Sequence, residues 1–414
     1  MIKDKVLSKL MIQEVDRQQK TVNLIPSENY VSKDILEILG SPLTNKYSEG
    51  YPGKRYYAGN KYYDEIEILT QKRLLKLFKL LNSETSSGGW HVNVQPYSGS
   101  PANAAIYFAL MNPGDTMMGL FLPAGGHLTH GHKVNFSGRI YKSVQYGVDS
   151  QTGLIDYDAI EKLAIEHQPR VIVSGYTAYP ALVDFQRLGT IAKKVGAFFV
   201  ADISHEAGMI AAGVLPGPFE YADVVMTTTH KTLRGPRGAV IFCKEEYEDR
   251  IDRAVFPGLQ GGPHNNVIAA IAEMAFEASQ SSFKKYQKQV LKNSQALALN
   301  LKRLNFKLLT DGTKNHMMLI DLKPLDMEGK GKEAQDLLEK AGIIVNRNSI
   351  PGDASPFNPS GLRVGTPAIT TRGMKEKEMK KIAEWLQRIL ITKESPEKIK
   401  QEVEELCAQF PLPC

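Results

Sequence analysis

The chain has 414 residues, which is too many for one simple core and predicts a large domain together with a smaller one. Its 42% hydrophobic and 23% charged residues argue against disorder, and a net charge of +6 with interleaved acidic residues favours an anionic small molecule over nucleic acid. Three cysteines without ligand spacing, no secretory signal pattern and no apolar run near the roughly 20 residues of a membrane helix predict a cytoplasmic protein.

The first segments predict a helix, a polar loop and a second helix. Apolar residues at helical spacing within residues 1–20 indicate an amphipathic helix that docks on another surface. Residues 24–30 form a loop rich in hydrogen-bonding side chains. Ser27 in this loop either contributes to binding or caps the helix predicted over residues 34–39.

Residues 45–57 combine four tyrosines with glycines, basic side chains and one carboxylate. Such a segment is unlike a regular buried element, yet it carries too many aromatic residues for a linker. We interpret it as a binding loop. An aromatic contact between subunits is the alternative, and both hold if the loop reaches into the site of a neighbouring subunit.

A turn of small residues, Ser98, Gly99 and Ser100, leads into a helix predicted over residues 104–111. Backbone N–H groups and the positive end of the helix dipole converge at such a turn, which predicts a phosphate site. An ordinary helix cap is the alternative.

Residues 125–132 contain three of the nine histidines within six positions. No cysteine or acidic residue stands at ligand spacing beside them, so we predict no metal site. We interpret His127 as an imidazole that lies flat against a planar aromatic ligand, or as an ordinary loop histidine.

Apolar runs at residues 170–174 and 197–202, with a helix at 188–195 between them, predict a mostly parallel sheet of βαβ units. Asp202 ends the second run, and a carboxylate there is costly unless a cation or hydrogen-bond donors meet it. We expect a protonated ring nitrogen as its partner. Backbone N–H groups are the alternative.

The next apolar run, residues 222–225, leads into a loop that carries Lys231 among hydroxyls, a histidine and arginines. Loops at the carboxyl ends of strands bind the ligand in open α/β sheets. Lys231 is therefore our candidate nucleophile for Schiff-base chemistry. A solvated surface lysine is the alternative.

The rest of the chain predicts a long helix and then short strands covered by helices, an α+β layer. Arg363 alternates with apolar neighbours in one such strand, so its guanidinium either grips a carboxylate or faces solvent. We divide the chain into a docking helix, a large cofactor-binding domain, a connecting helix and a small α+β domain, at residues 1–20, 21–264, 265–304 and 305–414.

Five features together point to one cofactor. An imine-forming lysine, a carboxylate for a ring nitrogen, a phosphate turn, a stacking imidazole and an arginine for a carboxylate describe a pyridoxal-phosphate enzyme that acts on an amino acid. The protonated ring is an electron sink that stabilises the carbanion at the substrate's α-carbon, and this requires an anion such as Asp202.

The chain resembles serine hydroxymethyltransferases over nearly its whole length, from residues 24–30 to residues 363–367, and several motifs between them carry the resemblance. They are Leu-Thr-Asn-Lys-Tyr at 43–47, Tyr-Pro-Gly-Lys-Arg-Tyr-Tyr at 51–57, Asn-Val-Gln-Pro at 93–96, Gly-Gly-His-Leu-Thr-His-Gly at 125–131 and Thr-Thr-His-Lys-Thr at 228–232. The resemblance implies an α/β fold-type I enzyme, similar to aspartate aminotransferase, with pyridoxal phosphate. It implies transfer of the hydroxymethyl carbon of serine to tetrahydrofolate, which gives glycine and 5,10-methylenetetrahydrofolate.

The resemblance also implies residue roles. Catalytic roles fall on Lys231, which forms the Schiff base, on Glu49, which transfers a proton, and on His205, Tyr57 and His230. Cofactor contacts fall on Ser98, Gly99, Ser100, His127, Thr177, Asp202, His205, His230 and Lys231, and substrate contacts on Ser27, Glu49, Tyr57 and Arg363. Folate contacts fall on Leu122, Gly126, His127, Leu128, Asn348, Ser355, Pro356 and Phe357.

In the family the site lies between subunits of a homodimer or tetramer, so some residues act on a neighbouring subunit's site. These are Tyr47, Glu49, Tyr57, Gly261 and Gly262. The proton-transfer role requires Glu49 to be at least partly protonated.

The sequence departs from the family in four places, one of which is Ala104, where an aromatic residue is frequent. Thr177 stands where serine is frequent and keeps the hydroxyl. Glu206 stands where Ile or Val is usual, and if it is buried it must find a partner or raise its pKa. The insertion-like residues 82–89 have no role that we derive.

Two rival functions remain open at this point. One keeps the cofactor but not the folate, as in an aldolase for β-hydroxy amino acids or a transaminase. The other is a non-catalytic binding protein on a retained scaffold, against which the intact Lys231, Asp202 and Arg363 argue.

Overall fold

The computed structural model describes residues 2–81, 89–355 and 357–413. The insertion-like residues 82–88 and the predicted folate contact Pro356 lie outside the described residues. None of the helices in these ranges combines the length and the apolar composition that a membrane span requires.

The chain divides into two compact units. The large unit is Val31–Lys288, and the small unit combines Met1–Tyr30 with Gln289–Cys414. Residues 21–30, which the sequence assigns to the large domain, belong with the C-terminal part because Val22–Asn23 pairs in parallel with Ile343–Ile344.

Helices and short strands make up most of the described residues. The helices are α1 (Lys5–Lys20), α2 (Lys33–Leu39), α3 (Lys61–Leu77), α4 (Gly99–Leu110), α5 (Phe136–Ile140), α6 (Tyr157–His167), α7 (Phe185–Lys194), α8 (Ala207–Ala211), α9 (Glu248–Arg253), α10 (Asn265–Ser279), α11 (Ser281–Arg303), α12 (Gly331–Lys340), α13 (Pro367–Thr371), α14 (Glu376–Leu390) and α15 (Pro396–Gln409). The strands are β1 (Val22–Asn23), β2 (Gly50–Tyr51), β3 (Lys54–Arg55), β4 (Trp90–Asn93), β5 (Thr116–Leu120), β6 (Lys142–Tyr146), β7 (Val171–Ser174), β8 (Phe198–Asp202), β9 (Val224–Thr228), β10 (Ala239–Lys244), β11 (Lys307–Leu308), β12 (Met317–Asp321), β13 (Ile343–Ile344), β14 (Asn346–Asn348) and β15 (Gly361–Gly365).

A seven-stranded sheet in the order β4-β10-β9-β8-β7-β5-β6 is the centre of the large unit. The strands from β9 to β6 in this order are parallel, whereas β10 runs antiparallel to both of its neighbours. β7 and β9 are buried throughout, as expected for continuous apolar strands that helices cover. The mostly parallel α/β sheet confirms the predicted fold class.

The carboxyl ends of β8 and β9 bring two predicted site segments to one edge of this sheet. The two strands are parallel neighbours, and Asp202 at the end of β8 lies opposite Met226 of β9. β9 ends at Thr228, so the loop with Lys231 begins at the same edge.

Three predicted elements differ in the structure. The helix expected from residue 104 begins at Gly99, because its small residues and Pro101 fit the first turn. The helix expected over 265–304 is two helices, since the extended Gln280 separates α10 from α11. Residues 45–57 are not entirely irregular, because β2 and β3 form a short antiparallel hairpin within them.

Helix α1 forms as predicted, but its apolar side chains remain exposed in the described chain. Val6, Leu10 and Val15 are each more than half exposed, and no residue of the helix is buried. The docking that the sequence predicts for this apolar face is therefore not made within the described residues.

The small unit is built on an antiparallel sheet in the order β11-β12-β15-β14. Its core combines residues of β12 and β15 with those of α12, α14 and α15, and it includes the fully buried Trp385. β1 contributes Val22 and Leu24 follows it into the same core.

Arg372 ties the two ends of the chain together inside the small unit. Its side chain is almost fully buried. At 2.7 to 3.3 Å it donates hydrogen bonds to the carbonyl oxygens of Gln18, Gln19, Thr21, Cys407 and Phe410. One guanidinium therefore satisfies carbonyl groups at the C-terminal ends of both α1 and α15.

We predict that Arg372→Met lowers the free energy of unfolding of the small unit by about 3 kcal/mol or more, because several buried carbonyls lose a charged donor. Urea denaturation followed by Trp385 fluorescence in a Trp90→Phe background measures this unit. The matched control is Arg17→Met in the same unit, since Arg17 pairs with Glu14 at the surface and such pairs contribute about 0 to 1 kcal/mol. Equal losses in both variants would contradict the prediction.

Candidate active site

Lys231 lies in a tight turn directly after β9. The Gly235 N–H donates to the Thr229 carbonyl at 2.7 Å and closes the turn. Arg234 adopts a positive φ of 60° within it, and a Cβ at Gly235 would lie 2.6 Å from Met274 Cγ. A fixed turn of this kind holds the lysine at the sheet edge instead of on a mobile surface loop.

The residue after the lysine connects this turn to the segment that follows β8. Thr232 Oγ1 donates to the His205 carbonyl at 3.0 Å and accepts from the Gly208 N–H at 3.0 Å. The loops that carry Lys231 and His205 are therefore hydrogen-bonded to each other.

Asp202 is held by three donors at the end of β8. Its Oδ1 accepts from the Ser204 N–H at 3.0 Å. Its Oδ2 accepts from Asn103 Nδ2 at 3.1 Å and lies 3.4 Å from His130 Nε2. Side chains from the α4 and histidine segments thus supplement the backbone donor that the sequence left as the alternative.

The Asp202 carboxylate stays ionised although it is buried. Burial alone raises the pKa of this carboxyl, but the His130 hydrogen bond, with the charges of His130 and Lys231, lowers it well below its usual range. The sheet edge therefore carries a fixed negative charge, which suits a cationic partner.

His127 is a neutral imidazole at neutral pH. Burial, together with the nearby His130 and Lys231, lowers its pKa to about 4. The Thr129 N–H donates to His127 Nδ1 at 3.2 Å, so the proton of the neutral ring sits on Nε2. His230 is also neutral, because burial and the charge of Lys231 lower its pKa to about 3.

The start of α4 leaves polar groups unsatisfied by the chain itself. Ser98 occupies the N-cap position, but its side chain makes no capping hydrogen bond. A Cβ at Gly99 would lie 2.8 Å from Thr228 Cγ2, so this turn requires glycine. Thr228 Oγ1 is buried and has no hydrogen-bond partner among the described residues. These groups, together with the free N–H groups of the first helical turn, fit a phosphate.

A second group of predicted residues gathers around the β2–β3 hairpin, and we name it the loop cluster: Tyr47, Glu49, Tyr57, Gly261 and Gly262. The rings of Tyr47 and Tyr57 pack edge to face at 5.2 Å. Cβ atoms at Gly261 and Gly262 would lie 3.1 Å from Glu49 Oε1 and 3.2 Å from the Tyr47 ring. The five residues that the resemblance assigns to a neighbouring subunit's site are thus brought together.

Arg55 fixes the backbone on both sides of Glu49. Its Nη1 donates to the Ser48 carbonyl at 2.8 Å and to the Gly50 carbonyl at 2.7 Å. Gly50 has a φ of 96°, and a Cβ there would lie 2.3 Å from the Lys54 carbonyl oxygen. The position of Glu49 therefore depends on one guanidinium.

The same guanidinium is neutralised by two carboxylates in the interior. Arg55 Nε donates to Asp64 Oδ1 at 2.8 Å and Nη2 to Glu67 Oε2 at 2.6 Å. Burial lowers the pKa of Arg55, but these carboxylates outweigh it and raise that pKa. Gln95 completes the network with bonds from Nε2 to Glu67 Oε1 and to the Gly50 carbonyl.

Within the small unit, Arg363 and Ser27 are neighbours. Arg363 is 6% exposed and donates through Nε to Asn346 Oδ1 at 2.9 Å and through Nη2 to Ser27 Oγ at 3.4 Å. Burial lowers the pKa of Arg363 to about 10, so it remains a cation at neutral pH. Ser27 does not cap α2, whose N-cap is Ser32, and Arg363 is not a solvated surface residue.

The predicted folate contacts are placed in two sets. In the large unit, Leu122 begins a short 3₁₀ turn, Gly126 is buried and Leu128 is 42% exposed. In the small unit, Asn348 ends β14 and Phe357 is 88% exposed. Ser355 Oγ accepts from the Phe357 N–H at 3.2 Å.

Two clusters of potential metal ligands occur in the described ranges, and neither includes the histidines of residues 125–132. They are His91, Glu248 and Asp252, and Asp34, Glu273 and Glu277. In the first, the His91 ring bonds to Asp252 at 2.9 Å, as an ion pair does without metal.

Sequence reasoning missed the residues that support Asp202 and His127. Thr129 Oγ1 lies 2.7 Å from His127 Nδ1 and accepts from Asn103 Nδ2 at 2.9 Å, so one network joins the stacking imidazole to the buried anion. Asn103 directly precedes the helix predicted from residue 104, and its burial in α4 makes a hydrogen-bonding role necessary.

Taken together, the large-unit groups offer an amine, a buried anion, a neutral imidazole and an unsatisfied helix N-terminus at one sheet edge. An amine there suits imine formation with a carbonyl compound. The anion suits a protonated ring nitrogen, and the helix N-terminus suits a phosphate.

Comparisons with known proteins agree with this chemistry. A family model described as "Serine hydroxymethyltransferase" matches residues 1–386. Curated proteins of that name from Legionella pneumophila, strains Corby and Paris, are each 51% identical to this chain over 415 residues. These matches cover 99% of this chain and 97% of each relative.

We predict that Arg55→Met lowers the free energy of unfolding of the large unit by about 3–5 kcal/mol, because it leaves Glu67 buried without a counter-charge. Trp90 fluorescence in a Trp385→Phe background reports this unit during urea denaturation. The matched control adds Glu67→Met, which removes the stranded carboxylate and should recover part of the loss. A double variant no more stable than the single one would show that Glu67 is not the cause.

Proposed function

The chain belongs to the serine hydroxymethyltransferase family, and from this premise we propose that it binds pyridoxal phosphate at Lys231 and uses tetrahydrofolate as the acceptor. Its activity is that of a transferase that interconverts serine and glycine. We assign that activity to particular side chains of this chain.

One observation carries the cofactor assignment: an amine, an ionised buried carboxylate and an uncapped helix N-terminus converge on the carboxyl edge of the large sheet. The buried Thr228 hydroxyl without a partner marks where the chain needs an outside group. When bound, pyridoxal phosphate supplies an electron sink that stabilises negative charge at the α-carbon of an amino acid.

The residues around Lys231 have distinct tasks in this proposal. Lys231 provides the attacking amine, and the turn closed by Gly235 keeps it at the sheet edge. Asp202 stays ionised and holds a proton on the ring nitrogen. His127 stays neutral, so it stacks on a positively charged ring without electrostatic repulsion.

Three further groups orient the ring. Thr177 and His205 hydrogen-bond the region of the ring hydroxyl, and His230 lies beside Lys231. Because the pKa of His230 is lowered to about 3, it serves as a neutral donor or acceptor and not as an acid.

We assign the phosphate to Ser98, Gly99 and Ser100 at the start of α4. The positive end of the helix dipole and the free N–H groups of the first turn favour an anion there. The Ser98 hydroxyl adds a donor, because it is not used as a helix cap.

We assign the loop cluster to the active site of a second subunit in a homodimer or tetramer. Glu49 moves the proton at the serine hydroxyl, and Tyr57 and Tyr47 line the substrate and cofactor. Gly261 and Gly262 present backbone N–H groups to the phosphate. The clamp of Arg55 around Glu49 supports this role, since proton transfer requires a carboxyl held at hydrogen-bond distance.

Arg363 binds the substrate carboxylate with the help of Ser27. A buried guanidinium that neutral groups orient is suited to a bidentate carboxylate pair. We assign folate to Leu122, Gly126, His127, Leu128, Asn348, Ser355, Pro356 and Phe357, where exposed apolar side chains suit a pteridine or benzoyl ring.

The experiment that tests the cofactor and folate is an absorption spectrum of the purified protein, alone, with glycine, and with glycine plus tetrahydrofolate. We expect a visible band in the first sample and a further band at longer wavelength only when both ligands are present. A coloured protein with no response to folate would favour the aldolase. A colourless protein that pyridoxal phosphate cannot restore would favour the binding scaffold.

We predict that Lys231→Ala abolishes serine to glycine transfer while the fold is kept, because the substitution removes the amine assigned to the covalent step. Transfer of the serine carbon and circular dichroism measure the two properties. The exposed Lys193→Ala is the matched control and should keep its activity. Turnover at the unmodified rate in Lys231→Ala would refute the assignment.

We predict that Arg363→Ala raises the KM for serine about tenfold or more, with a much smaller change in the KM for tetrahydrofolate, because a charged hydrogen-bond pair to the carboxylate is lost. Steady-state kinetics with each substrate varied in turn separates the two effects. Arg347→Ala, an exposed arginine of β14, is the control. Equal rises in both constants would show that the carboxylate role is misplaced.

A further inference from the structure

Glu206 is a buried carboxyl that no step of the proposed function uses. It directly precedes α8 and is 4% exposed. A carboxyl in the interior is costly unless it has a hydrogen-bond partner. Its neighbour in the chain is His205, one of the residues assigned to the cofactor.

The partner of Glu206 is Tyr176, in the loop that follows β7, and the two side chains form a hydrogen bond. The ring of Tyr176 is stacked on the His205 imidazole, with centroids 5.9 Å apart and planes at 24°. Tyr176 therefore contacts both Glu206 and the side chain of the residue before it.

The hydrogen bond joins two loops that each carry a residue assigned to the cofactor. Thr177 follows Tyr176 in one loop, and His205 precedes Glu206 in the other. The second loop is also bonded to the Lys231 turn, through Thr232 Oγ1 and the carbonyl of His205. Glu206 is therefore adjacent in sequence to His205, and one hydrogen bond connects it to the loop that carries Thr177.

We propose that Glu206, acting through Tyr176, is a positioning residue that sets the orientation of His205 and Thr177 for the transfer reaction. The inference rests on the proposed function, because it assumes that these two residues face the cofactor. Glu206 itself touches neither substrate nor cofactor in this proposal.

The charge of Glu206 changes near neutral pH. Burial raises its pKa from an ordinary 4.5 to about 7, and the Tyr176 hydroxyl opposes that rise. Burial raises the pKa of Tyr179 in the same loop and the nearby charge of Glu206 adds to that rise, and His205 adjoins Glu206 in the chain. Above pH 7 the Tyr176 hydroxyl donates to a carboxylate, and such charge-assisted bonds are about twice as strong as neutral ones.

The protonation state of Glu206 determines how activity and stability depend on pH. Activity should rise with pH through a midpoint near 7, as the ionised carboxyl fixes Tyr176 against His205. Stability moves the other way. Between pH 4.5 and about 7 the folded chain holds a proton that the unfolded chain releases, so the contribution of Glu206 to stability falls as pH rises.

The first test needs neither cofactor nor turnover. Infrared spectra of the purified protein between pH 5 and 9 should contain the C=O band of a protonated carboxyl that disappears with a midpoint near 7. The band should be missing in Glu206→Gln. In Tyr176→Phe its midpoint should move to higher pH, because the group that opposes the rise is gone. The exposed Glu246→Gln is the control and should leave the band unchanged.

The second test is the pH profile of kcat/KM for serine in the holoenzyme of the same variants. We expect the limb near pH 7 to be absent in Glu206→Gln and moved upward in Tyr176→Phe, in step with the infrared midpoint. A purely structural role would lower activity equally at every pH. The melting temperature of the natural chain, relative to Glu206→Gln, should fall as the pH rises from 5 to 8.

Two results would overturn the proposal. One is the absence of a titrating carboxyl band that depends on Glu206. The other is a pH profile whose midpoint stays the same in Glu206→Gln and Tyr176→Phe. A protein without any transfer activity would overturn the proposed function, and the positioning role with it. If its infrared titration were nevertheless as expected, the failure would lie in the proposed function and not in the titration of Glu206.

Discussion

The structure of the large unit depends on keeping one carboxylate charged in its interior. Asp202 ends a buried strand, and burial alone would favour its neutral form. The chain offsets this with donors from three places: Ser204 beside it, Asn103 of α4 and His130 of the histidine segment. Because these donors come from separate segments, the anion also fixes those segments relative to the sheet. The segments at the carboxyl edge of the sheet are thereby held in place around the Asp202 carboxylate.

Two buried arginines also use a buried charge and its hydrogen bonds to hold segments of the chain together. Arg55 and Arg372 each direct several donors toward backbone carbonyl oxygens, Arg55 on both sides of Glu49 and Arg372 at the ends of two helices. They differ in how their charge is met, since Arg55 faces two carboxylates whereas the hydrogen bonds of Arg372 go to carbonyls. Guanidinium groups suit this task because five fixed donors fan out from one planar head. Lysine at either position would satisfy fewer carbonyls.

Sequence reasoning succeeded where the signal was local. The apolar run before the Lys231 loop, the strand that ends at Asp202 and the mostly parallel sheet are all present, since each depends on a few consecutive residues. Sequence reasoning failed where contacts between distant segments determine the structure. It did not predict the β1 pairing that assigns residues 21–30 to the small unit, or that Asn103 and His130 are partners of Asp202. β5 was also missed, because its centre is two methionines and a glycine, which are not typical of strands. The roles of individual site residues remain predictions.

The small unit is assembled from both ends of the chain, which has a consequence for its synthesis. β1 leaves the ribosome long before β13, so it has no strand to pair with until β13 has been made. At roughly 5 to 20 residues per second, this delay lasts tens of seconds. The large unit is continuous in sequence, so all of its residues have been synthesised before β13 is made. Val22, Leu24 and Ser27 are thus made well before Gln289–Cys414, the segment that completes their unit.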